Sequence, residues 1–192
     1  MLREKLSKYN IILASGSPRR QQFFKELDIP FTIQLKGVEE IYPTELQGTK
    51  ITDYLSDLKS KPFINLKEND LLITSDTIVW IDQKAIGKPK NEEDAFVMLQ
   101  ELSGKMHQVI TSVSLKGINF QTIFNDTTNV YFKNLTNEEI TYYIKNYYPF
   151  DKAGSYGIQE WIGYIGIEKI EGSYFNVMGL PVHKLYKELM QL

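Results

Sequence analysis

The chain has 192 residues, no cysteine and a formal net charge of −2, with 22 Lys and Arg against 24 Asp and Glu. That balance disfavours a general nucleic-acid binder, which usually carries a basic excess or stripe, and the absence of thiols excludes disulfides and thiolate metal sites and fits a reducing compartment. No apolar run is long enough to span a bilayer, and the opening Met-Leu-Arg-Glu-Lys lacks a hydrophobic leader, so the sequence reads as a soluble cytoplasmic protein with no membrane partner.

In chain order, an apolar strand at 10–14 leads through Ser15-Gly16-Ser17-Pro18 into a helix at 18–27. A strand at 31–36 and a helix near 51–60 follow, then strands at 71–75 and 77–82. Asn91 reads as the N-cap of a helix at 92–102, with Glu92, Glu93 and Asp94 in its first turn and Gly104 beyond its end. Ala95, Met98, Leu99 and Leu102 give that helix one apolar face. A long hairpin, 107–116 and 119–132, turns near Lys116-Gly117. Thr136 and Glu139 form a capping box for a helix at 137–146. Further strands fall in the Gly-rich stretch 154–179, and Pro181 starts a C-terminal helix. No linker or repeat divides the chain, which reads as one domain over 1–192. Alternating strands and helices with one long hairpin predict an α/β fold around a mixed, twisted sheet.

Helix 18–27 contains a contradiction. Its first turn carries Arg19 and Arg20, the sign that a helix N-terminus disfavours by a few tenths to about 1 kcal/mol per charge. One resolution is an anion bound there, held by backbone N–H groups, the Ser15 and Ser17 hydroxyls and two guanidinium forks. The other is that both arginines point into water, where screening makes the placement cheap.

Asp76, in "LLITSDTIVWID", interrupts an apolar run. A strand interior disfavours Asp and an unpaired buried carboxylate is expensive, so Asp76 is expected at a bend, against a cation or on a metal. Glu39 and Glu40 lie in a loop. Lys59, Lys88 and Lys152 sit near small or breaker residues, and Pro89 shapes the loop that carries Lys88. Gln159 is a neutral amide able to read a base edge or to satisfy loop backbone. With two histidines and no cysteine a zinc site is disfavoured, and His107 reads as structural. No P-loop, GxGxxG, HExxH or nucleophile-elbow pattern occurs.

Six stretches together, "LASGSPRRQQFF", "YLSDLKS", "TSDTIVW", "IGKPKNEEDAFVMLQELSGKMHQV", "YPFDKAGSYGIQ" and "IEGSYFNVMGLPV", resemble the Maf family of nucleoside triphosphate pyrophosphatases, in the family's order and over nearly the whole chain. The resemblance implies an elongated mixed sheet with flanking helices, two lobes and a central cleft, similar to inosine triphosphate pyrophosphatases. It also implies hydrolysis of a nucleoside triphosphate to the monophosphate and pyrophosphate with Mg²⁺ or Mn²⁺, and a homodimer. By motif position, Ser15, Arg19, Arg20, Lys59 and Lys88 would hold the triphosphate, with Lys61 the alternative to Lys59. Asp76 and Glu40 would supply carboxylate chemistry and hold the metal. Asp76 is the family's proton acceptor, and Lys88 joins the two in the catalytic set. Arg19, Thr77 and Gln159 match positions tied to substrate choice. The pairing of "SDT" with "GIQ" resembles the subgroup acting on dTTP and UTP, with modified pyrimidine triphosphates as further substrates in a house-cleaning role. The alternative is a non-catalytic nucleotide-binding regulator of cell division, which tight dTTP binding without hydrolysis would reveal. An Asp of ordinary pKa, about 3.9, is a weak base at neutral pH, which is the physical reason to expect a metal.

Overall fold

A computed structural model describes residues 1–192. The strands are β1 (Asn10–Leu13), β2 (Thr32–Ile33), β3 (Asp70–Ile81), β4 (Lys84–Ile86), β5 (Met106–Lys116), β6 (Gln121–Phe132) and β7 (Ile167–Glu171). The helices are α1 (Leu2–Lys5), α2 (Pro18–Glu26), α3 (Thr49–Ser60), α4 (Glu92–Leu102), α5 (Asn137–Tyr147), α6 (Trp161–Gly166), α7 (Tyr174–Val177) and α8 (Val182–Leu189). The seven strands form a mixed sheet in the order β2-β1-β3-β5-β6-β7, with β4 paired to β3. The α/β expectation holds. No helix is long and apolar enough to cross a membrane.

The chain divides into two compact units: Met1–Asp76 with Thr111–Asp126 and Gly179–Leu192, and Thr77–Ile110 with Thr127–Met178. In the first, β1 pairs in parallel with both β2 and β3. Parallel neighbours need crossovers, which α2 and α3 supply. Leu13, Leu71, Leu72 and Ile73 are fully buried, as expected for strands covered on both faces. Because β2 and β3 flank β1 on opposite sides, the carboxyl ends of β1 and β3 form a topological switch point, where open α/β sheets bind ligands. Their register, Leu13 opposite Ile73, sets the Ser15 loop just past the carboxyl end of β1, level with Asp76 in the middle of the longer β3.

The second unit is built around one apolar cluster that includes Val79, Leu99, Leu102, Val130, Phe132, Ile140, Tyr143 and Tyr156. Helix ends fall where the caps are. Asn91 Oδ1 accepts from Asp94 N–H at 2.8 Å, and Thr136 and Glu139 complete their box. Asp82 and Gln83, with φ of 48° and 63°, make the tight turn from β3 to β4.

Three expectations fail locally. The strand at 31–36 shrinks to Thr32–Ile33. The stretch 154–179 holds one strand, β7, and two short helices. The two strands expected on either side of Asp76 are one continuous β3, with no bend at that residue. Burial on both sides outweighs the local propensity of a single Asp.

His107 is structural, as expected: 1% exposed, edge-on to Phe132, with Nε2 at 2.7 Å from Tyr156 Oη. Burial lowers its pKa to about 4. The unfolded chain therefore takes up this proton near 6.5 and the folded one only near 4, so stability is intact above 6.5 and falls between those values by up to about 3 kcal/mol. Denaturant melts at pH 7 and pH 4.5 should show a larger acid loss for the wild type than for His107→Gln. Equal losses would contradict this sign.

Candidate active site

The first unit holds six of the expected residues, Ser15, Arg19, Arg20, Glu40, Lys59 and Asp76. Pro18 opens α2 at its first position, where its missing N–H costs nothing. Ser17 caps the helix through a 3.5 Å bond from Arg20 N–H, and Ser15 Oγ accepts from Ser17 N–H at 3.3 Å. The Arg20 guanidinium donates from Nε to the Gly179 carbonyl at 2.8 Å, and from Nη1 to the Ser75 carbonyl at 3.0 Å and Ser15 Oγ at 3.5 Å. Thus Arg20 does not project into water. It ties the loop after β1 to the middle of β3 at Ser75 and to the chain before α8. Burial lowers its pKa to about 10, although Asp76 and Glu40 act in the opposite direction, and Arg19 lowers it further. It stays protonated at neutral pH, and Arg19 is close enough for its charge to be felt.

Asp76 is 5% exposed. Lys59 Nζ lies 2.6 Å from Asp76 Oδ1 and 3.1 Å from Glu40 Oε1, so one ammonium bridges both carboxylates. Lys59 reaches them because α3 is fixed at two places. The Thr74 hydroxyl donates to the Ser56 carbonyl at 2.6 Å, one helical turn before Lys59. Asp53 accepts from Ser112 Oγ at 2.6 Å and from Asn125 Nδ2 at 3.1 Å. Lys61 is not at this cluster; it pairs with Asp57 at 3.4 Å.

Asp76 Oδ2 is buried without a hydrogen-bond partner. That orphan oxygen beside a second carboxylate fits a hard divalent cation. Mg²⁺ and Mn²⁺ take one or two carboxylates and complete their shells with water and phosphate oxygens. No cluster of three or more His, Cys, Asp or Glu gathers in the chain, so protein side chains alone do not build a cage.

Thr77, Lys88 and Gln159 belong to the second unit. Thr77 is half-buried in β3, and Lys88 is exposed on the loop before buried Pro89. Gln159 is half-buried; its Nε2 donates to Glu160 Oε1 at 3.5 Å, and its Oε1 is buried without a partner. Around it lies a network that sequence reasoning missed. Lys152 Nζ sits 3.0 Å from Glu160 Oε1, and the Tyr143 hydroxyl donates to Glu160 Oε2 while accepting from Gly157 N–H at 3.0 Å. Burial, then the bond to Glu160, raises the Tyr143 pKa, so the phenol stays a donor. The available signal was Tyr143 in phase with Ile140 and Ile144 on the buried face of α5: a phenol there needs a polar partner.

These residues and this sheet define a class. The chain matches the Maf-like protein family over residues 10–192 and belongs to it. Two relatives narrow the comparison. The dTTP/UTP pyrophosphatase of Flavobacterium johnsoniae is 60% identical over 193 residues, covering all of both chains. That of Christiangramia forsetii is 57% identical, over all of this chain and 98% of its own. Among solved structures, the Ham1 protein of Staphylococcus aureus shares the fold, with a TM-score of 0.55 at 16% identity over 95% of this chain and 98% of its own.

Proposed function

We propose that this chain, as a single Maf-like domain, hydrolyses dTTP and UTP to the nucleoside monophosphate and pyrophosphate, with Mg²⁺ or Mn²⁺ as cofactor. The observation that carries the reading is the Lys59 ammonium shared by Asp76 and Glu40 at the switch point where Arg20 anchors the Ser15 loop. The full-length relatives named for that activity support the substrate assignment.

A triphosphate carries about four negative charges near neutral pH, and its α-phosphorus accepts a nucleophile only when that charge is neutralised and pyrophosphate departs in line. In this reading the N–H groups at the start of α2, the Ser15 hydroxyl, Arg19 and Lys88 hold phosphate oxygens. Arg20 contributes its charge and keeps the Ser15 loop in place. Lys59, Arg19 and Arg20 against Asp76 and Glu40 leave the first unit's cluster with one net positive charge, too little for the substrate alone. A divalent cation held by Asp76 and Glu40 would supply the missing charge neutralisation and acidify water. Asp76 orients the attacking water and accepts its proton, and Lys59 holds the carboxylate in place. Gln159 pairs with the base, its amide answering the N3–H donor and O4 acceptor of uracil or thymine. Thr77 and Arg19 contribute to substrate choice.

Incubation of dTTP with the protein and Mg²⁺ should yield pyrophosphate and dTMP in equal amounts. Release of orthophosphate and dTDP would overturn the assigned bond, and dTTP binding without turnover under Mg²⁺ or Mn²⁺ would favour a nucleotide-responsive regulator instead.

A further inference from the structure

One ammonium serves two carboxylates in the first unit, and the two are not equivalent. Lys59 Nζ lies 2.6 Å from Asp76 Oδ1 and 3.1 Å from Glu40 Oε1. Asp76 is buried in the middle of β3 and fixed there. Glu40 is half-exposed, on the segment between β2 and α3 that carries neither helix nor strand. Lys59 therefore ties a movable carboxylate to a fixed one. Its own place is well determined. It is the basic residue in the last turn of α3, where the helix dipole favours a cation. Its side chain is 18% exposed, so water and salt screen its charge little.

A divalent cation makes demands on the same groups. The oxygen that Asp76 leaves for an ion is Oδ2, buried without a hydrogen-bond partner. An ion there would share one carboxyl group with the Lys59 ammonium, and like charges at that separation repel strongly. The second carboxylate, Glu40, is turned to Lys59. No group of three metal-ligating side chains gathers in the chain to offset the repulsion. A polyphosphate offers both things that such an ion needs, further oxygen ligands and negative charge.

We infer that Lys59 is a built-in competitor that holds down the protein's own affinity for Mg²⁺ or Mn²⁺, so that the cation enters with the polyphosphate and not ahead of it. The inference rests on the proposed metal-assisted reaction and deepens it. Asp76, the closer and fixed partner, stays with Lys59. Glu40, the exposed and movable one, passes from the ammonium to the cation.

The test is Mn²⁺ binding to chelator-treated protein with no nucleotide present, read from the electron paramagnetic resonance signal of the free ion. Lys59→Met removes the competing charge and should bind Mn²⁺ tenfold or more tightly than the wild type, a gain that general damage to the fold would not give. Lys59→Arg keeps the charge and should stay within threefold of the wild type. Adding Glu40→Gln to Lys59→Met should cancel most of the gain. Lys59→Gln keeps a donor for Asp76 without the charge and should show the same gain; it carries the test if the Met variant does not fold. Mn²⁺ affinity within twofold of wild type in the folded neutral variants overturns the inference. So does a gain that survives Glu40→Gln, since the ion would then sit elsewhere. A wild type that releases no pyrophosphate from dTTP or UTP overturns the proposed reaction but leaves a measured gain in Mn²⁺ affinity standing, so the two failures are distinct.

Discussion

Asp76→Asn should lower kcat for pyrophosphate release by about 10³- to 10⁴-fold, near the upper range for removal of a proton acceptor, while leaving nucleotide binding intact. The substitution keeps the shape of a side chain that is 5% exposed in the middle of β3, and Lys59 retains Glu40 at 3.1 Å. The loss is therefore chemical rather than structural. The sign of the binding effect follows from the local charge. Asp76 and Glu40 now offset two of the three cations of the cluster, and removing one carboxylate raises the positive potential facing phosphate. Without metal, dTTP should bind the variant at least as tightly as the wild type, as read by calorimetry. With Mg²⁺ the advantage should vanish, because the orphan Oδ2 is the oxygen a divalent cation would use. A variant within tenfold of wild-type kcat would remove Asp76 from the chemistry.

Placing Asp76 there exposes what the sequence could and could not convey. Caps, periodic apolar faces and turn residues are local signals, so β1, α2, α4, α5 and the β5–β6 hairpin were readable almost to the residue. Asp76 was readable as costly but not as the interior of a single strand. Its cost is met by Lys59, which lies 17 residues away in sequence. The choice between Lys59 and Lys61 was in principle available from helical phase: Thr52, Leu55 and Ser56 are among the buried residues of α3, and position 59 continues their face. Lys61, beyond the end of α3, turns back to Asp57. Glu160 carried no such signal. A carboxylate following Gln159 looks like a solvated residue until Tyr143 and Lys152 are brought to it by the packing of the second unit. Local chemistry is legible in the chain; the partner that neutralises a buried charge is a tertiary fact.

Arg20 brings the opening contradiction to a measurable end. Replacement by Met should destabilise the protein by about 2–4 kcal/mol, because the Ser75 and Gly179 carbonyls each lose a charged donor in a partly buried setting, and should lower Tm by about 10 °C for a chain of this length. Arg20→Lys should recover little of this. An ammonium restores the charge but not the fork that donates from Nε to one carbonyl and from Nη1 to another. Activity should fall further than stability explains. With the fork gone, the Ser15 loop and the β3 backbone at Ser75 lose their common anchor, so kcat/KM for dTTP should drop about 10²-fold or more even at temperatures where both variants are folded, a loss expected when reacting groups are misplaced by an ångström. Thermal melts paired with kinetics at 15 °C separate the two effects. If Arg20→Lys restored both Tm and kcat/KM, the arginine would act only as a charge at the helix start. The geometry gives it a different task. The dipole penalty of a cation in the first turn, at most about 1 kcal/mol, is smaller than the stabilisation from charge-assisted bonds to two carbonyls, and so the helix tolerates the wrong sign.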